Sequence, residues 1–188
     1  MLTKELNSYK NKLNTKQIHT ILKEYWGFNS FRPKQEEIIM NIFQNKDCLA
    51  LLPTGGGKSM CFQIPAIAMK GTCIVISPLI ALMKEQVGQL KNRGIKAIAL
   101  SSGMLHSEVD IALDNCIYGE IKLLYISPER LQSEFVRERI KKINVSFITI
   151  DEAHCISEWG HDFRPAYRRL AQLRELLPET PVIALTAT

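Results

Sequence analysis

The stretch Leu51-Leu-Pro-Thr-Gly-Gly-Gly-Lys-Ser59 joins an apolar run, Cys48–Leu52, to a segment whose apolar residues have helical spacing. Strand, glycine-rich loop, Lys-Ser and helix follow one another in this order in a phosphate-binding P-loop. Glycines let successive backbone N–H groups curl around a phosphate, and the next helix presents the positive end of its dipole. Lys58 would then reach the phosphates, and the Ser59 hydroxyl would bind Mg²⁺. The stretch predicts a nucleotide site, although Leu52 stands where the usual pattern has glycine.

The composition is that of one globular domain. The chain has 188 residues, 46% of them hydrophobic and 23% charged, with a net charge of +5. A basic balance is compatible with nucleic acid but is no proof of it. The polar, Lys-rich start and the lack of any apolar run near the roughly 20 residues of a membrane span predict a cytoplasmic protein with no membrane partner. Scattered cysteines without a CxxC pair predict reduced thiols; they are Cys48, Cys61, Cys73, Cys116 and Cys155.

Continuous apolar runs alternate with helical patterns along the rest of the chain. Such runs, separated by helices, are typical of a parallel sheet covered on both faces. The predicted fold class is therefore α/β, a three-layer sandwich with a mostly parallel sheet, in which ligands bind beyond the carboxyl ends of the strands. After Cys48–Leu52, the predicted strands are Thr72–Ser77, Lys96–Ser101, Leu123–Ser127, Val145–Ile150 and Val182–Thr186.

Two helices are predicted before the first strand. Apolar spacing favours a helix over Thr15–Trp26, capped by Thr15 and ended by Gly27. Pro33 suits the first turn of a second helix that runs to about Phe43. We accordingly divide the chain into an N-terminal helical segment, residues 1–27, and an ATP-binding lobe, residues 28–188.

Two adjacent carboxylates follow the predicted strand Val145–Ile150, in the sequence Asp151-Glu-Ala-His154. At the tip of a strand across from a P-loop, Asp151 is placed to hold Mg²⁺ and Glu152 to act as the general base. The alternative is that adjacent acids merely begin a loop. His154 could be a metal ligand by residue type, but zinc requires more companions than Cys155 supplies. A polar bridge from the ATP site to the following loop, or to Thr186 or Thr188, is favoured for His154.

Together these motifs resemble the first motor lobe of a superfamily 2 helicase. The resemblance is to Asp151-Glu-Ala-His154 combined with the P-loop and with Leu185-Thr-Ala-Thr188. Two further stretches resemble the RecQ family of DNA helicases: Phe31-Arg-Pro-Lys-Gln35, and Cys155-Ile-Ser-Glu-Trp-Gly-His-Asp-Phe-Arg-Pro165. Ser77–Gln86 and Tyr125–Leu131 also fit that family. The resemblance, which runs from about Tyr25 to the end, implies a RecA-like P-loop NTPase lobe of the DEAH-box type.

The resemblance also implies roles in binding ATP. Gln35 would contact the adenine edge, since an amide both donates and accepts hydrogen bonds, with Arg32 assisting. Phe28 would stack on the base; simple packing at the helix junction is the alternative. The phosphates would lie against the loop residues Thr54, Gly55, Gly56, Gly57, Lys58 and Ser59, and the implied cofactors are ATP and Mg²⁺.

The loop after Asp151-Glu-Ala-His154 is rich in aromatic and cationic residues. Aromatic faces stack on unpaired bases, worth about 1–3 kcal/mol per base, and arginine contacts phosphates. In the RecQ family this loop couples DNA binding to ATP turnover; the alternative is a cluster that closes the sheet edge. The residues that we assign to this coupling are Trp159, His161, Phe163 and Arg164.

The implied activity is ATP-driven 3′-to-5′ DNA unwinding in DNA repair and recombination. The implied partners are DNA, especially single-stranded and forked, and a second motor lobe of the same parent chain, with a location at the bacterial nucleoid. The arginine finger of related motors lies in that second lobe, so we expect the fragment alone not to unwind DNA. Two alternatives stay open, an RNA helicase and a non-catalytic module that holds ATP or DNA.

Overall fold

The computed structural model describes residues 14–156 and 170–187 of the chain. Its strands are β1 (Cys48–Leu51), β2 (Thr72–Ile76), β3 (Ala97–Leu100), β4 (Leu123–Ile126), β5 (Val145–Ile150) and β6 (Val182–Thr186). They form one sheet in the order β1-β6-β5-β2-β4-β3, and every neighbouring pair is parallel. The α/β class with a parallel sheet is confirmed, and all carboxyl ends of these strands lie at one edge.

Helices cover both faces of the sheet. They are α1 (residues 14–21, continued by a π-helical turn, Leu22–Trp26), α2 (Gln35–Phe43), α3 (Met60–Ala68), α4 (Ile80–Asn92), α5 (His106–Tyr118), α6 (Glu134–Ile140) and α7 (Ala171–Leu176). None of the described helices is long and apolar enough to cross a membrane.

Alternating residues of each strand pack into two separate hydrophobic cores, one on each face of the sheet. On one face Cys73 and Val75 of β2 pack with residues of α2, α3 and α4. On the other face Ile74 and Ile76 pack with residues of α5, α6 and α7. All five residues of β2 are buried, because successive side chains of a central strand point to opposite, covered faces. This explains why the strand runs are apolar throughout.

The N-terminal helix α1 packs against α2 and against α3, the helix that follows the glycine loop. Ile18, Ile21 and Leu22 of α1 are buried with Ile39 of α2 and Ile64 of α3. The helix ends at Gly27, which has the left-handed φ of 74° and donates its N–H to the carbonyl of Lys23. The predicted stop at Gly27 is therefore confirmed, while the π-helical turn before it was not foreseen.

The structure corrects two predicted helix starts. Thr15 is not a cap, because residue 14 is already helical and the Thr15 hydroxyl contacts the sulfur of Met40 at 3.8 Å. Pro33 precedes α2 instead of lying in its first turn. The reason is Lys34, whose φ of 72° is left-handed, so the helix begins only at Gln35.

All five cysteines are free thiols, as predicted. Cys48 is half-buried in β1, and the other four are buried. Burial raises the pKa of Cys61 and of Cys116 to about 12, because the thiolate would lose its hydration. These two thiols pack as small apolar groups and are not reactive at neutral pH.

Candidate nucleotide site

The glycine loop leaves β1 at the carboxyl edge of the sheet and turns sharply before α3. Gly55 and Gly57 have φ values of 74° and 75°, which L side chains rarely adopt. At Gly56 an added Cβ would lie 2.7 Å from the carbonyl oxygen of Pro53, to which the Gly56 N–H donates. All three glycines of the loop therefore have a steric reason to be glycine.

Leu52 does not belong to this turn. Its side chain is buried in the core, and its N–H donates to the carbonyl of Thr186 on β6 at 3.0 Å. Leu52 thus continues the strand pairing of β1, which explains why leucine can stand where the usual pattern has glycine.

The carbonyl side of the loop is held by two residues that flank the start of α2. The buried Gln35 amide donates from Nε2 to the carbonyls of Gly56 (3.2 Å) and Gly57 (3.1 Å), and its Oε1 accepts from the N–H of Arg32 at 2.8 Å. The Arg32 guanidinium donates to the carbonyl of Gly55. In a trans peptide the N–H points opposite to the C=O, so the N–H groups of Gly57 and Lys58 face away from Gln35. The free side of the loop thus presents donors.

The resemblance assigns Gln35 and Arg32 to the adenine, and it does not predict their hydrogen bonds to the carbonyls of the glycine loop. The structure buries Gln35 to 1% exposure beneath the loop, and the adenine role stays a prediction. Gly57 is the last glycine before Lys58, and an added Cβ there would lie 2.5 Å from Gln35 Nε2.

The acids predicted for catalysis lie across from the loop. Asp151 follows β5 directly, and its N–H donates to the carbonyl of Ile76 on β2 at 2.8 Å. Glu152 Oε1 lies 3.7 Å from Lys58 Nζ, with both side chains mostly buried. The sheet order brings the two together, since β6 alone separates β1 from β5.

Glu152 is held in a special backbone conformation. Its φ of 49° is left-handed, one of three such non-glycine residues in the part of the chain that the structure describes. The Glu152 N–H donates to Asp151 Oδ1 at 3.1 Å. Such conformations cost free energy and concentrate at functional sites.

The Asp151 carboxyl is buried, and its surroundings disfavour the negatively charged form. Burial, followed by the neighbouring negative charge of Glu152, raises the pKa of Asp151 to about 6. Lys58 and His154 oppose this shift without cancelling it. A cation bound at this position would relieve the penalty.

His154 bridges Glu152 to the end of β6. Its Nδ1 lies 3.4 Å from Glu152 Oε2 and 3.0 Å from Thr186 Oγ1. The predicted polar bridge from His154 to Thr186 is therefore present. No group of three or more His, Cys, Asp or Glu side chains that could hold a metal ion occurs within residues 14–156 and 170–187.

Other predicted residues are partly described. The Phe28 side chain is 49% exposed, and its stacking role stays a prediction, whereas Phe31 packs edge-on against the ring of His19. Ser59 immediately precedes α3, and Thr54 lies in the exposed turn after β1. Trp159, His161, Phe163, Arg164 and Thr188 lie outside the described residues.

A second group of polar residues lies at the same edge, beyond β2, β4 and β3. The hydroxyls of Ser77 and Ser127 are buried and, among the described residues, have no hydrogen-bond partner. Arg130, to which sequence reasoning gave no role, donates to the carbonyls of Ser101 (2.8 Å) and Met104 (2.6 Å). It thereby fixes the exposed turn of residues 102–103.

Comparison with known families agrees with this geometry. The model of the DEAD/DEAH box helicase family matches residues 32–188. The chain belongs to that family. Its homologues include RecQ helicases, and the resemblance seen in the sequence is confirmed.

Two curated relatives illustrate the similarity. The chain is 49% identical to a probable ATP-dependent DNA helicase RecS of Bacillus subtilis over 92% of its own length and 34% of that protein. It is 47% identical to the ATP-dependent DNA helicase RecQ of Haemophilus influenzae over 90% of its length and 27% of that protein. The chain therefore spans about a third or less of the length of these relatives.

Solved structures share the fold. The DUF1998 helicase MrfA, solved with DNA and AMPPNP, superimposes with a TM-score of 0.72 at 18% identity, over 92% of this chain and 26% of that one. Mycobacterium smegmatis helicase Lhr, solved with single-stranded DNA and AMP-PNP, gives a TM-score of 0.65 at 24% identity, over 86% and 23%. At these identities the similarity supports the helicase-lobe fold alone.

Proposed function

We propose that the chain is the nucleotide-binding lobe of an ATP-dependent DNA helicase. With a second motor lobe, the protein would move 3′ to 5′ along single-stranded DNA and unwind forked duplexes in DNA repair and recombination. The observation that carries the proposal is the approach of Lys58 to Glu152, which places a P-loop lysine opposite a strand-end carboxylate. Both RecQ-type relatives described above are named ATP-dependent DNA helicases.

The residues at the site fit ATP and Mg²⁺. The loop offers N–H groups on the side away from Gln35, and glycine at position 57 lets Gln35 approach the loop from the carbonyl side, where a Cβ would lie 2.5 Å from its Nε2. Ser59 and Asp151 supply the oxygen ligands that Mg²⁺ prefers. Burial and the charge of Glu152 raise the pKa of Asp151, and a bound cation would stabilise its charged form. Mg²⁺, when bound, neutralises charge on the phosphate oxygens.

Lys58 and Glu152 would exchange partners when ATP binds. The Lys58 ammonium is the counter-ion of Glu152. A terminal phosphate that draws Lys58 away leaves the Glu152 carboxylate able to accept a proton from the attacking water. His154 would keep the Glu152 side chain oriented through its contacts to Glu152 and Thr186.

Single-stranded DNA would bind at the same edge, beyond β2, β4 and β3. The exposed positions there are Leu79, before α4, and the turn of residues 102–103 that Arg130 holds. Ser77, at the same edge, is buried, so its hydroxyl does not reach solvent. Trp159, Phe163 and Arg164 would stack on bases and contact phosphates.

The test measures Mg²⁺-ATP binding by this chain, and ATP turnover by a protein that also carries the second lobe. Turnover is compared without nucleic acid, with single-stranded DNA and with single-stranded RNA of the same sequence. The variants are Lys58→Ala and Trp159→Ala, and the matched control is Lys70→Ala, which changes an exposed lysine.

We expect Lys58→Ala to abolish binding and turnover, Trp159→Ala to abolish only the stimulation by DNA, and Lys70→Ala to change neither. Failure of the unmodified chain to bind Mg²⁺-ATP would overturn the nucleotide assignment. Stimulation by RNA instead of DNA would overturn the assigned substrate class and support an RNA helicase.

A further inference from the structure

Three polar side chains meet inside the apolar core between the sheet and helices α3 and α4. Gln63 Nε2 donates to the Tyr125 hydroxyl at 3.0 Å, and the Tyr125 hydroxyl donates to Gln86 Oε1 at 2.8 Å. Gln63 Nε2 also lies 3.3 Å from Gln86 Oε1, which closes a ring of three contacts. The three side chains are 6%, 1% and 8% exposed in the order Gln63, Tyr125, Gln86. We call this group the buried triad.

The hydrogen bonds of the buried triad depend on the distance and direction between their atoms, unlike the contacts of the apolar residues around it. Phe62, Met83 and Val87 belong to the same core, where apolar attraction has no directional requirement. A buried amide or hydroxyl that loses its partner keeps the cost of its lost hydration without a hydrogen bond to offset it. The triad therefore favours one relative position of α3, α4 and β4.

Each member of the triad lies close to a functional segment. The backbone N–H of Gln63 donates to the carbonyl of Ser59 at 2.9 Å, so Gln63 is one helical turn from the glycine loop. Gln86 lies on α4, the helix that begins directly after Leu79 at the proposed DNA edge. Tyr125 lies in β4, two residues before Ser127, which follows the strand at the same edge of the sheet.

The strand that carries Tyr125 is separated by one strand from β5, which leads to Asp151. In the register of the sheet, Tyr125 pairs with Val75, and Val75 pairs with Thr149 of the strand that leads to Asp151. One hydrogen-bonded group thus joins α3, which follows the glycine loop, to α4, which follows Leu79 at the proposed DNA edge, and to β4.

We infer that Gln63, Tyr125 and Gln86 are positioning residues that transmit movement between the nucleotide loop and the DNA-binding edge. The inference rests on the proposed function. If nucleotide binding shifts the first turn of α3, Gln63 moves with Ser59 and would break its bonds to Tyr125 and Gln86 unless α4 follows. Conversely, DNA that moves the start of α4 acts on α3 through the same bonds. None of the three residues contacts a substrate, and their effect is on the coupling alone.

The experiment compares Tyr125→Phe with Tyr118→Phe in the full-length protein that contains this lobe. Both substitutions remove one hydroxyl; Tyr118 is 81% exposed and serves as the matched control. Three quantities are measured: Mg²⁺-ATP affinity, ATP turnover without DNA, and the factor by which single-stranded DNA stimulates turnover.

We expect Tyr125→Phe to lower the stimulation factor by about three- to tenfold, and to change ATP affinity and DNA-independent turnover by less than about twofold. Tyr118→Phe should leave all three quantities unchanged. A Tyr125→Phe protein that melts at a lower temperature but keeps the full stimulation factor would show a purely structural role and overturn the coupling.

A second pair of variants covers the case in which Tyr125→Phe does not fold. Gln63→Met and Gln86→Met keep side-chain length and remove the amides, and each should lower the stimulation factor in the same way. The double variant Gln63→Met/Gln86→Met should lose less than the product of the single losses, because both break one network. Independent, multiplicative losses would overturn the triad as a unit. An unmodified protein that DNA does not stimulate at all would overturn the proposed function itself, and the coupling with it.

Discussion

Lys58 and Glu152 face one another across the candidate nucleotide site, with Lys58 Nζ 3.7 Å from Glu152 Oε1. The two side chains are 15% and 23% exposed, so their attraction is only partly screened by water. The lysine predicted to bind phosphate and the carboxylate predicted to activate water therefore form an ion pair with one another. Each of the two groups thus has a counter-ion of opposite charge.

Replacing Glu152 by glutamine should separate binding from turnover. Without its carboxylate partner, Lys58 is available to phosphate, so we expect Glu152→Gln to bind Mg²⁺-ATP at least as tightly as the unmodified protein. Loss of the base should lower DNA-stimulated turnover by about 10²–10⁴-fold. Fluorescent-nucleotide titration and steady-state turnover check the two quantities.

Glu120→Gln is the matched control, because the Glu120 side chain is 85% exposed and pairs with Lys96 on the surface. It should change neither quantity. Turnover of Glu152→Gln within about tenfold of the unmodified protein would exclude Glu152 as the base.

The raised pKa of Asp151 predicts a pH-dependent cost in stability. The pKa of this carboxyl lies at about 6 in the folded protein, compared with an ordinary value of 3.8. Between these pH values the folded protein holds a proton that the unfolded chain has released, so the free energy of unfolding falls as pH rises through this range. The full cost is present at pH 7.

Asp151→Asn should therefore stabilise the protein at pH 7, by up to about 3 kcal/mol, and have little effect near pH 4. Denaturant unfolding in EDTA at both pH values measures this. Asp47→Asn is the control of opposite sign: the Arg174 side chain and the Val182 N–H lower the pKa of Asp47, so its contribution is present above 3.8 and is lost as pH falls. Equal effects of Asp151→Asn at the two pH values would contradict the assigned shift.

Gly57→Ala should disrupt the loop through Gln35. The added Cβ would lie 2.5 Å from Gln35 Nε2, at a φ of 75°. The left-handed conformation alone costs about 1–2 kcal/mol for a residue with a Cβ. We expect weaker Mg²⁺-ATP binding, by at least about tenfold, and a lower melting temperature.

Gly88→Ala makes the same chemical change inside α4, where the added Cβ meets nothing within 4 Å. It should stabilise the protein by roughly 0.5–1 kcal/mol without changing ATP affinity. If the two alanine variants bind ATP equally well, the close approach of Gln35 to the loop has no role in binding.

Thr186→Val should uncouple His154 from β6 with little change in volume. The substitution removes the hydroxyl that lies 3.0 Å from His154 Nδ1 and leaves His154 with Glu152. We expect DNA-stimulated turnover to fall by about three- to thirtyfold, with ATP affinity unchanged. Thr186→Ser restores the hydroxyl and should restore turnover; a Ser variant as impaired as the Val variant would point to lost packing instead of a lost hydrogen bond.

Residue types and their spacing were sufficient to predict the parallel α/β sheet and the edge that carries the site. Strands such as β2 are buried on both faces, and this leaves a continuous apolar run that can be read directly. Asp151 could be placed for the same reason, because it follows such a run immediately. Helix starts were less well predicted, since the left-handed Lys34 that delays α2 has no reliable signature in sequence.

The partners of individual side chains could not be read from the sequence. Gln35 was assigned to the adenine by resemblance, and its bonds to the carbonyls of Gly56 and Gly57 depend on how α2 packs beside the loop. The buried triad was missed entirely, because a glutamine in a helix is ordinarily a solvent-exposed residue.

Local order along the chain therefore accounts for the strand–loop–helix unit at residues 48–68 and for the acids at the end of β5. Those features are set by residues that are adjacent in the sequence, because the backbone fixes how such residues lie relative to one another. The pairing of Lys58 with Glu152 and the closure of the triad depend instead on the strand order β1-β6-β5-β2-β4-β3, which joins segments far apart in the chain. A hydrogen bond or ion pair requires its atoms to lie within a few ångströms, and in this protein only the packed sheet and helices create that proximity.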